Sequence, residues 1–356
     1  MSQDHEAGRA TDFRSDAVTT PTDAMYAAMG EARLAWAPAG DDPTLGALED
    51  YAARIVGKAS ALFVPTGTMA NLLALMTHTE RGQQVVVEAD AHVSWSEEWS
   101  CGYICGVIPA TIESEDGRMT PDGLERALAA RRFGHVPRTG LVWLENTHNV
   151  SGGLAMSAAE MASIAAAARA HRVPIHLDGA RLFNAALAMD QEPAMLAAHV
   201  DTLMFCLNKG LGAPAGAMLC GSAEFIARSR INLRRLGGAS MPQAGLLAAA
   251  GLVALQTMRP RLREDHVRAQ RLASGIAAIP GVAVPHRVET NIVMASVEET
   301  GLDAMSVVAG LSARGVRALS CTDQRVRFVT HRHVTDAAVD HAIAALHDVA
   351  RSAGRS

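Results

Sequence analysis

The chain has 356 residues, which is enough for one large domain and a smaller one with a sizeable buried core. Its 32 basic and 37 acidic residues give a net charge of −5, so neither nucleic acid nor an anionic membrane is expected as a partner. The five cysteines form no C-x-x-C pair, which favours reduced thiols and a cytoplasmic location. No apolar stretch is long enough to cross about 30 Å of hydrocarbon.

Strands and helices alternate through most of the sequence. Strands are expected at 13–18 (a short extended segment), 61–64, 85–88, 105–112, 141–144, 175–178, 203–207 and 217–220, and helices at 21–29, 45–51, 69–77, 121–130, 157–171 and 223–236. Such alternation favours a mostly parallel sheet that is covered by helices on both faces. The predicted fold class is therefore α/β.

The C-terminal part of the sequence has a different pattern. A long helical region runs from 246 past Pro260, and short strands at 282–284, 292–295, 316–319 and 326–329 are mixed with helices at 303–313 and 335–351. This pattern predicts a small α+β domain. We expect a flexible polar tail at 1–12 in place of a signal peptide, a large domain at 13–255 and a small C-terminal domain at 256–356.

Two predicted strands each lead to an ionisable residue that is followed at once by glycine. Asp178 ends one strand and Lys209 follows the next, so both belong at the carboxyl edge of the sheet, where open α/β sheets hold ligands. A lysine in a buried setting suits a Schiff base with an aldehyde cofactor, because desolvation disfavours its charge. Pyridoxal phosphate also needs a carboxylate near its pyridinium nitrogen, and Asp178 supplies one. The alternative is a structural Lys–Asp ion pair.

A phosphate cradle is expected where the strand at 61–64 meets the following helix. Thr66, Gly67 and Thr68 form a turn with hydroxyls at a helix start, where backbone N–H groups and the helix dipole attract anions. Taken alone this signal is weak, because most junctions of this composition hold nothing. It gains meaning only beside Lys209 and Asp178.

Several other chemistries are set aside. The glycines at 210–216 are spaced G-x-G-x-x-x-G and are not the dinucleotide fingerprint, and neither G-x-x-x-x-G-K-[ST] nor G-x-S-x-G occurs. No cluster of Cys and His has zinc spacing, so no metal site is predicted. His331 and His333 fit surface composition better than metal ligation. His92 and the polar run at 145–149 follow strands and are candidates for the active edge.

The sequence resembles the low-specificity L-threonine aldolases, a family of pyridoxal-phosphate enzymes with the aminotransferase-like fold, called fold type I, in the wider β-eliminating lyase group. The resemblance covers residues 13–351 and is jointly specific. It is carried by F-R-S-D-A-V-T, G-D-D-P-T, P-T-G-T-M-A-N, A-D-A-H, L-E-N-T-H-N, H-L-D-G-A-R-L-F-N-A, C-L-N-K-G-L-G-A-P and V-R-F-V-T-H.

The resemblance implies a role for each residue that would hold the cofactor. Lys209 would be the Schiff-base lysine and Asp178 the partner of the pyridine nitrogen. The turn at 66–68 would hold the phosphate. His92 would stack on the ring, and Arg181 would lie near the ring hydroxyl and the substrate.

The resemblance also implies how a substrate is bound. Ser15 and Arg327 would bind its carboxylate, since arginine offers a bidentate fork. His148 would lie by its β-hydroxyl, and His148 or His92, directly or through water, would take the hydroxyl proton. In the family the site is completed across a homodimer interface, commonly within a tetramer, and Arg235 stands where the family has a lysine that reaches the neighbouring subunit.

Two positions depart from the pattern of the family. Ala39 stands where the family usually has a tyrosine, and Pro242 stands where it has an arginine in G-G-x-M-R-Q. Losing these side chains loosens phosphate or substrate contacts. The preferred aldehyde is therefore left open, while the catalytic residues are all present.

The predicted function is the reversible cleavage of L-threonine, L-allo-threonine and related β-hydroxy-α-amino acids to glycine and an aldehyde. One alternative is another pyridoxal-phosphate reaction on the same scaffold, either β-elimination or cleavage of aromatic or α-substituted β-hydroxy amino acids. Another is a non-catalytic cofactor-binding or assembly protein. The presence of both Lys209 and Asp178 argues against that last reading.

Overall fold

The computed structural model describes residues 10–130 and 138–353, and the chain divides into two compact units. The larger unit contains residues 20–150 and 155–259. The smaller unit contains the described residues up to Thr19, a short excursion at Ser151–Leu154, and the chain from Pro260 onward. The larger domain that we predict at 13–255 thus differs from the larger compact unit in the assignment of residues 13–19, 151–154 and 256–259.

The strands are β1 (Thr11–Asp12), β2 (Ser60–Val64), β3 (Gln84–Glu88), β4 (Ile108–Ile112), β5 (Thr139–Glu145), β6 (Ile175–Asp178), β7 (Thr202–Cys206), β8 (Ala217–Gly221), β9 (Ile292–Ser296), β10 (Val316–Arg317), β11 (Leu319–Thr322) and β12 (Arg325–Val329). The helices are α1 (Asp23–Gly30), α2 (Pro43–Ile55), α3 (Gly67–His78), α4 (His92–Trp95), α5 (Pro121–Ala129), α6 (Ala158–Ala170), α7 (Leu182–Ala188), α8 (Pro193–Ala197), α9 (Ala223–Arg235), α10 (Gly245–Val253), α11 (Leu262–Ala277), α12 (Ala304–Ser312) and α13 (Asp336–Ala353).

A seven-stranded sheet forms the centre of the larger unit within its described residues, in the order β2-β8-β7-β6-β5-β3-β4. The neighbours from β7 to β4 pair in parallel, and β8 alone runs antiparallel to the strands beside it. Every residue of β3, β7 and β8 is buried, which explains their nearly continuous apolar sequences. The predicted mostly parallel α/β sheet is confirmed.

Local sequence signals set where many of these helices begin. Pro43, Pro121 and Pro193 each open a helix, where a missing backbone N–H has no consequence. Asp42 caps α2 by accepting the N–H groups of Thr44 and Leu45 at 3.0 and 2.9 Å. These caps fix the phase of each helix relative to the preceding strand, and so they fix which residues face the sheet.

The smaller unit has its own apolar core. An antiparallel sheet in the order β11-β12-β9 packs with α11, α12 and α13, and Phe13 and Phe328 meet edge to face with ring centroids 6.0 Å apart. Thr11–Asp12 pairs in parallel with β10. The end of the segment that we predicted to be a flexible tail is therefore an ordered strand, while residues 1–9 lie outside the described part.

Three sequence predictions differ from the observed elements. Residues 13–18 are not extended throughout, because Asp16–Val18 forms a helical turn capped by the hydroxyl of Ser15. The strand predicted from 105 starts only at Ile108, since Cys101–Cys105 is helical. Residues 282–284 form only an isolated bridge, between Ala283 and Ser296. Among the described residues, no helix has both the length and the apolar character of a membrane span.

Candidate active site

Three acidic residues end neighbouring strands at one edge of the larger sheet. Glu88 ends β3, Glu145 ends β5 and Asp178 ends β6, and these strands lie side by side. Glu145 pairs in register with Asp178. Lys209 follows the adjacent strand β7 by three residues. The structure therefore brings the ends of the two strands that carry Asp178 and Lys209 to the same edge, as the sequence predicts.

Asp178 is a buried carboxylate with a hydrogen bond to each oxygen. Asp178 is only 2% exposed. Oδ1 accepts the backbone N–H of Ala180 at 3.0 Å, and Oδ2 accepts Nδ2 of Asn71 from α3 at 2.7 Å. Two such donors fix the orientation of the carboxyl group. Asp178 is thus held in place by groups on both sides.

The start of α3 presents the predicted anion cradle. The hydroxyl of Thr66 accepts the N–H of Met69 at 3.1 Å, which leaves the N–H groups of Gly67 and Thr68 at the open first turn. A Cβ atom built on Gly67 would lie 2.8 Å from Sγ of Cys206, so no side chain fits there. The cradle therefore requires glycine for packing reasons as well as for access to its backbone.

A tight turn holds the backbone around Lys209. Leu207 donates its N–H to the carbonyl of Gly216 at 3.0 Å, and Gly212 donates to the carbonyl of Lys209 at 2.9 Å. Gly212 has a φ of +77°, which L residues with a side chain rarely adopt. The half-buried lysine is thus presented from a constrained loop.

His92 is paired with a carboxylate that the sequence analysis did not select. Nδ1 of His92 lies 2.9 Å from Oε1 of Glu97, which also accepts Nδ2 of Asn71 at 2.7 Å. Burial alone would lower the pKa of His92, but the hydrogen bond to Glu97 and the nearby carboxylates of Asp178 and Glu145 raise it. Burial, together with Asp178, raises the pKa of Glu97.

His148 makes a second histidine–glutamate pair at this edge. Its Nε2 lies 3.0 Å from Oε2 of Glu88, and His148 is 1% exposed. Burial opposes the charge on His148, yet the carboxylates of Glu145 and Glu88 raise its pKa. Burial works in the opposite sense on Glu88, whose pKa is nevertheless lowered by its hydrogen bonds with His148 and Ser114. These two pKa shifts favour a protonated His148 beside an ionised Glu88 over two neutral groups.

Glu145 connects the two loops that carry the histidines. Its Oε2 accepts the N–H of His92 at 2.6 Å, and its Oε1 accepts the N–H of Asn149 at 2.8 Å. Asn149 directly follows His148 in the chain. One strand-end carboxylate therefore fixes the backbone beside both candidate bases.

A possible metal cluster is explained by these hydrogen bonds. Ligand atoms of His92, Glu97 and Asp178 lie within 4.8 Å of one another, a spacing that a cation could use. Asn71 already donates to both carboxylates of this cluster, and Nδ1 of His92 shares a hydrogen bond with Glu97. The sequence predicts no metal site, and the arrangement of donors gives no reason to add one.

The two arginines of the larger unit that the sequence analysis assigned to the site occupy different settings. Arg181 is buried, and it precedes α7 directly, three residues after Asp178. Arg235 is exposed at the end of α9, where its Nη1 donates to Oδ1 of Asn232 at 2.9 Å. Its predicted reach into a neighbouring subunit stays a prediction.

Ser15 and Arg327 both lie in the smaller unit, near each other. Arg327 is on β12, and its Nη2 donates to the carbonyl of Arg14 at 3.1 Å, beside Ser15. The hydroxyl of Ser15 accepts the N–H of Ala17 at 3.1 Å. The side chain of Arg327 thus reaches the backbone directly before Ser15, and their binding of a substrate carboxylate stays a prediction.

The two positions that depart from the pattern of the resembling family lie together. The carbonyl of Pro242 accepts the N–H of Ala37 at 3.1 Å, in the turn that carries Ala39. Ala39 lines a cavity of about 190 Å³ that also contacts Glu49 and Arg234. Space is therefore available where a larger side chain would stand.

Sequence reasoning missed three residues of this site, Asn71, Glu88 and Glu97, and it included Glu145 only as part of the polar run at 145–149. Glu88 and Glu145 carry the same signal as Asp178, because each is an acidic residue at the end of a buried strand. Asn71 and Glu97 carry no such signal. Asn71 meets Glu97 and Asp178 only through contacts between distant parts of the chain, and Glu97 lies five positions after His92 without following a strand.

Comparison with known proteins places this chain among its relatives. A family model described as beta-eliminating lyase matches residues 12–300. The chain belongs to the beta-eliminating lyase family. It is 38% identical over 340 residues to low-specificity L-threonine aldolase 1 of Arabidopsis thaliana, a match that covers 94% of this chain and 95% of that relative.

Solved structures agree on the fold of this beta-eliminating lyase family member. The threonine aldolase of Leishmania major superposes with a TM-score of 0.81 at 19% identity, covering 95% of this chain and 99% of that one. The aspartate aminotransferase of Rhizobium meliloti gives a TM-score of 0.72 at 16% identity, covering 97% and 92%. These likenesses confirm the predicted aminotransferase-like fold.

Proposed function

We propose that this lyase is a pyridoxal-phosphate enzyme that cleaves L-threonine, L-allo-threonine and related β-hydroxy-α-amino acids to glycine and an aldehyde, in a reversible reaction. The observation that carries the proposal is the sheet edge at which Asp178 is buried and hydrogen-bonded, beside the strand that leads to Lys209. Relatives between 34% and 38% identical that bear the name L-threonine aldolase support the same reaction.

The residues present fit pyridoxal phosphate. The open first turn of α3 offers N–H groups to a phosphate, and Gly67 leaves them uncovered because no Cβ fits there. The carboxylate of Asp178 suits a protonated ring nitrogen, and the amine of Lys209 suits the aldehyde. His92 would lie against the ring and Arg181 near its hydroxyl. When bound, the cofactor supplies a pyridinium that takes up the electron pair of the broken Cα–Cβ bond.

The protein's own residues then have distinct tasks. Arg327 and Ser15 bind the carboxylate of the substrate and orient it so that its Cα–Cβ bond can break. Asp178 keeps a proton at the ring nitrogen. His92 or His148 accepts the proton of the β-hydroxyl, since histidine exchanges protons near neutral pH and the nearby carboxylates raise the pKa of both side chains.

The reaction can be tested with one side-by-side assay. Purified protein loaded with pyridoxal phosphate is incubated with L-threonine, L-allo-threonine and phenylserine, and glycine and aldehyde are quantified. We expect equal amounts of both products from at least one of the threonine isomers. No glycine from any of the three would overturn the proposal.

Lys209→Ala provides the matching test of the lysine. We expect the variant to lose the visible absorbance of protein-bound pyridoxal phosphate and to lose turnover by several orders of magnitude, because the covalent hold on the aldehyde is gone. The spectrum and the glycine yield are measured on the same samples. Undiminished lyase activity would sink the assignment of Lys209.

β-Elimination is the second candidate, because the description of the matching family model names that chemistry. It would release ammonia and a keto acid in place of glycine and an aldehyde. Product analysis of the same assay separates the two reactions. Cleavage that prefers phenylserine would point to an aldolase for aromatic substrates.

We propose a homodimer with shared active sites, within a homotetramer, in the cytoplasm. Exposed aromatic side chains of the larger unit, among them Trp36, Trp99 and Tyr103, support an apolar contact between copies. No disulfide joins the cysteines, all five of which lie in the described part of the chain, and this supports a reducing compartment. Mixing inactive Lys209→Ala and Arg235→Ala enzymes should restore part of the activity if Arg235 acts across the interface.

A further inference from the structure

One buried amide joins two carboxylates beneath the candidate site. Asn71 donates through Nδ2 to Oδ2 of Asp178 and to Oε1 of Glu97, both at 2.7 Å. All three side chains are buried, and they come from α3, the end of β6 and the segment after α4. The amide lets two acidic groups stand close together by placing a donor between them.

The hydrogen bonds of Glu97 determine which nitrogen of His92 carries a proton. Oε1 of Glu97 faces two nitrogen donors, Asn71 Nδ2 and His92 Nδ1. An ionised carboxylate only accepts hydrogen bonds, so Nδ1 of His92 donates whenever Glu97 is ionised. Nε2 is then the nitrogen that gains and loses a proton. The His92 side chain is 31% exposed and that of Glu97 is 0% exposed, so the partner is fixed while the histidine reaches the open site.

The second histidine is more deeply buried. Nε2 of His148 lies 3.0 Å from Oε2 of Glu88, and the His148 side chain is 1% exposed. The two candidate bases thus differ in their access to the site.

We propose that Glu97 is a positioning residue of the lyase reaction, which fixes the Nδ1–H tautomer of His92 so that Nε2 faces the proton of the substrate. Asn71 ties this pair to Asp178, so the residue at the ring nitrogen and the residue at the substrate hydroxyl share one hydrogen-bonded unit. The identity of the substrate in this proposal rests on the proposed function. The tautomer of His92 does not.

Three charged side chains act on His92, and they come from different parts of the chain. Glu97 contacts it directly, and Asp178 and Glu145 act at longer range from the ends of β6 and β5. All three are acidic and favour the protonated imidazole, against the effect of burial. Removing the charge of Glu97 should therefore let His92 lose its proton at lower pH.

The tautomer can be measured without turnover. The holoenzyme is labelled with ¹⁵N-histidine, and the shifts of Nδ1 and Nε2 of His92 are followed with pH, with His92→Asn used to assign them. In the wild type we expect Nδ1 to stay protonated throughout and Nε2 to titrate. A neutral imidazole with its proton on Nε2 would overturn the proposal.

Two variants of Glu97 separate charge from geometry. Glu97→Gln keeps an acceptor oxygen, so Nδ1 should stay protonated while the titration of Nε2 moves to lower pH. Glu97→Leu removes the acceptor, and the two tautomers should then mix. Unchanged shifts in both variants would contradict the proposal. If the leucine variant fails to fold, the wild-type tautomer and the glutamine variant decide the question.

Kinetics with L-threonine give the second readout. The acid limb of kcat/KM should move to lower pH in Glu97→Gln, and Glu97→Leu should lose about tenfold to a hundredfold in kcat, the range found when a partner that orients a histidine is removed. Glu125→Gln is the matched control, since Glu125 pairs with His171 on the surface at 2.8 Å. It should change neither readout. An unmoved acid limb in Glu97→Gln would count against the proposal, whereas absent threonine cleavage with the expected tautomer would reject only the proposed function.

Discussion

At the scale of single residues, Gly67 couples the packing of the sheet to the binding of an anion. Its Cα lies against β7, where Sγ of Cys206 and Cε of Met204 would stand 2.8 and 3.0 Å from any added Cβ. The same residue offers its N–H at the first turn of α3. Any side chain here must therefore displace the side chains of Cys206 and Met204 or shift the helix start.

Gly67→Ala should destabilise the fold and weaken the cofactor's hold together. We expect the free energy of unfolding to fall by about 1–3 kcal/mol, as in other overpacked sites, and pyridoxal phosphate to bind less tightly. Urea unfolding with and without the cofactor measures both. Gly46→Ala is the control, because a Cβ at Gly46 meets nothing within 4 Å. A stable Gly67→Ala variant with normal cofactor affinity would contradict this account.

The sequence places some site residues and not others for a physical reason. Asp178 and Lys209 could be predicted because a charge that follows an apolar run marks the end of a buried strand. Glu145 carries the same mark within the predicted polar run at 145–149, and Glu88 carries it too and could have been selected. Asn71 could not, because its partners Asp178 and Glu97 are 107 and 26 positions away and are brought near only by the packing of α3 against the sheet.

At the scale of secondary structure elements, the cap of α3 decides how the anion cradle is shaped. Thr66 satisfies the N–H of Met69 and leaves those of Gly67 and Thr68 for a ligand. One N–H group is satisfied by the cap and two stay open, so the helix terminus has a fixed geometry. The positive end of the helix dipole at the same place attracts an anion.

Thr66→Val should lower both the free energy of unfolding and the affinity for the cofactor. Thr120→Val, the same change at the N-cap of α5, should lower the free energy of unfolding alone. Loss of an N-cap lowers stability by about 1 kcal/mol. Thr120 caps α5 in the same way, through a 3.1 Å bond from the N–H of Gly123, and lies outside the candidate site. Thermal unfolding and pyridoxal-phosphate titration of both variants test this. Equal effects on cofactor affinity would show that the cap of α3 has no special role.

Element boundaries show where sequence patterns stop being informative. The run at 105–112 is apolar enough for a strand from its start, but a helical turn occupies Cys101–Cys105 and pairing begins at Ile108. The short run at 282–284 finds only one partner, because Ala283 meets β9 at its last residue, Ser296. Both outcomes depend on which neighbours are present, and local composition does not encode this.

At the scale of the whole molecule, a buried acid in the smaller unit links stability to pH. Burial, with the nearby Asp16, raises the pKa of Asp265 to about 6, although its ion pair with Arg261 opposes the shift. A raised pKa means that the folded chain binds this proton more tightly than the unfolded chain. The contribution to stability is therefore full below about pH 4 and is lost as pH rises through 6.

Asp265→Asn should remove this part of the pH dependence. Relative to the wild type, the stability of the variant should rise between pH 4 and pH 6 by roughly 1–3 kcal/mol and then level off. Urea midpoints measured at several pH values for both proteins give the difference directly. Parallel curves over this range would show that the pKa of Asp265 is not raised in the folded chain.

The register of β5 against β6 has a consequence beyond the core. Side chains alternate between the two faces of a sheet, so a slip of one residue would reverse the direction of every side chain on a strand. The pairing that buries Trp143 and Leu177 is also the pairing that sets Glu145 beside Asp178. Selection for a catalytic edge and selection for a correctly paired core thus act on the same residues. A change deep in β5 that never approaches a ligand should be visible first as an altered cofactor spectrum.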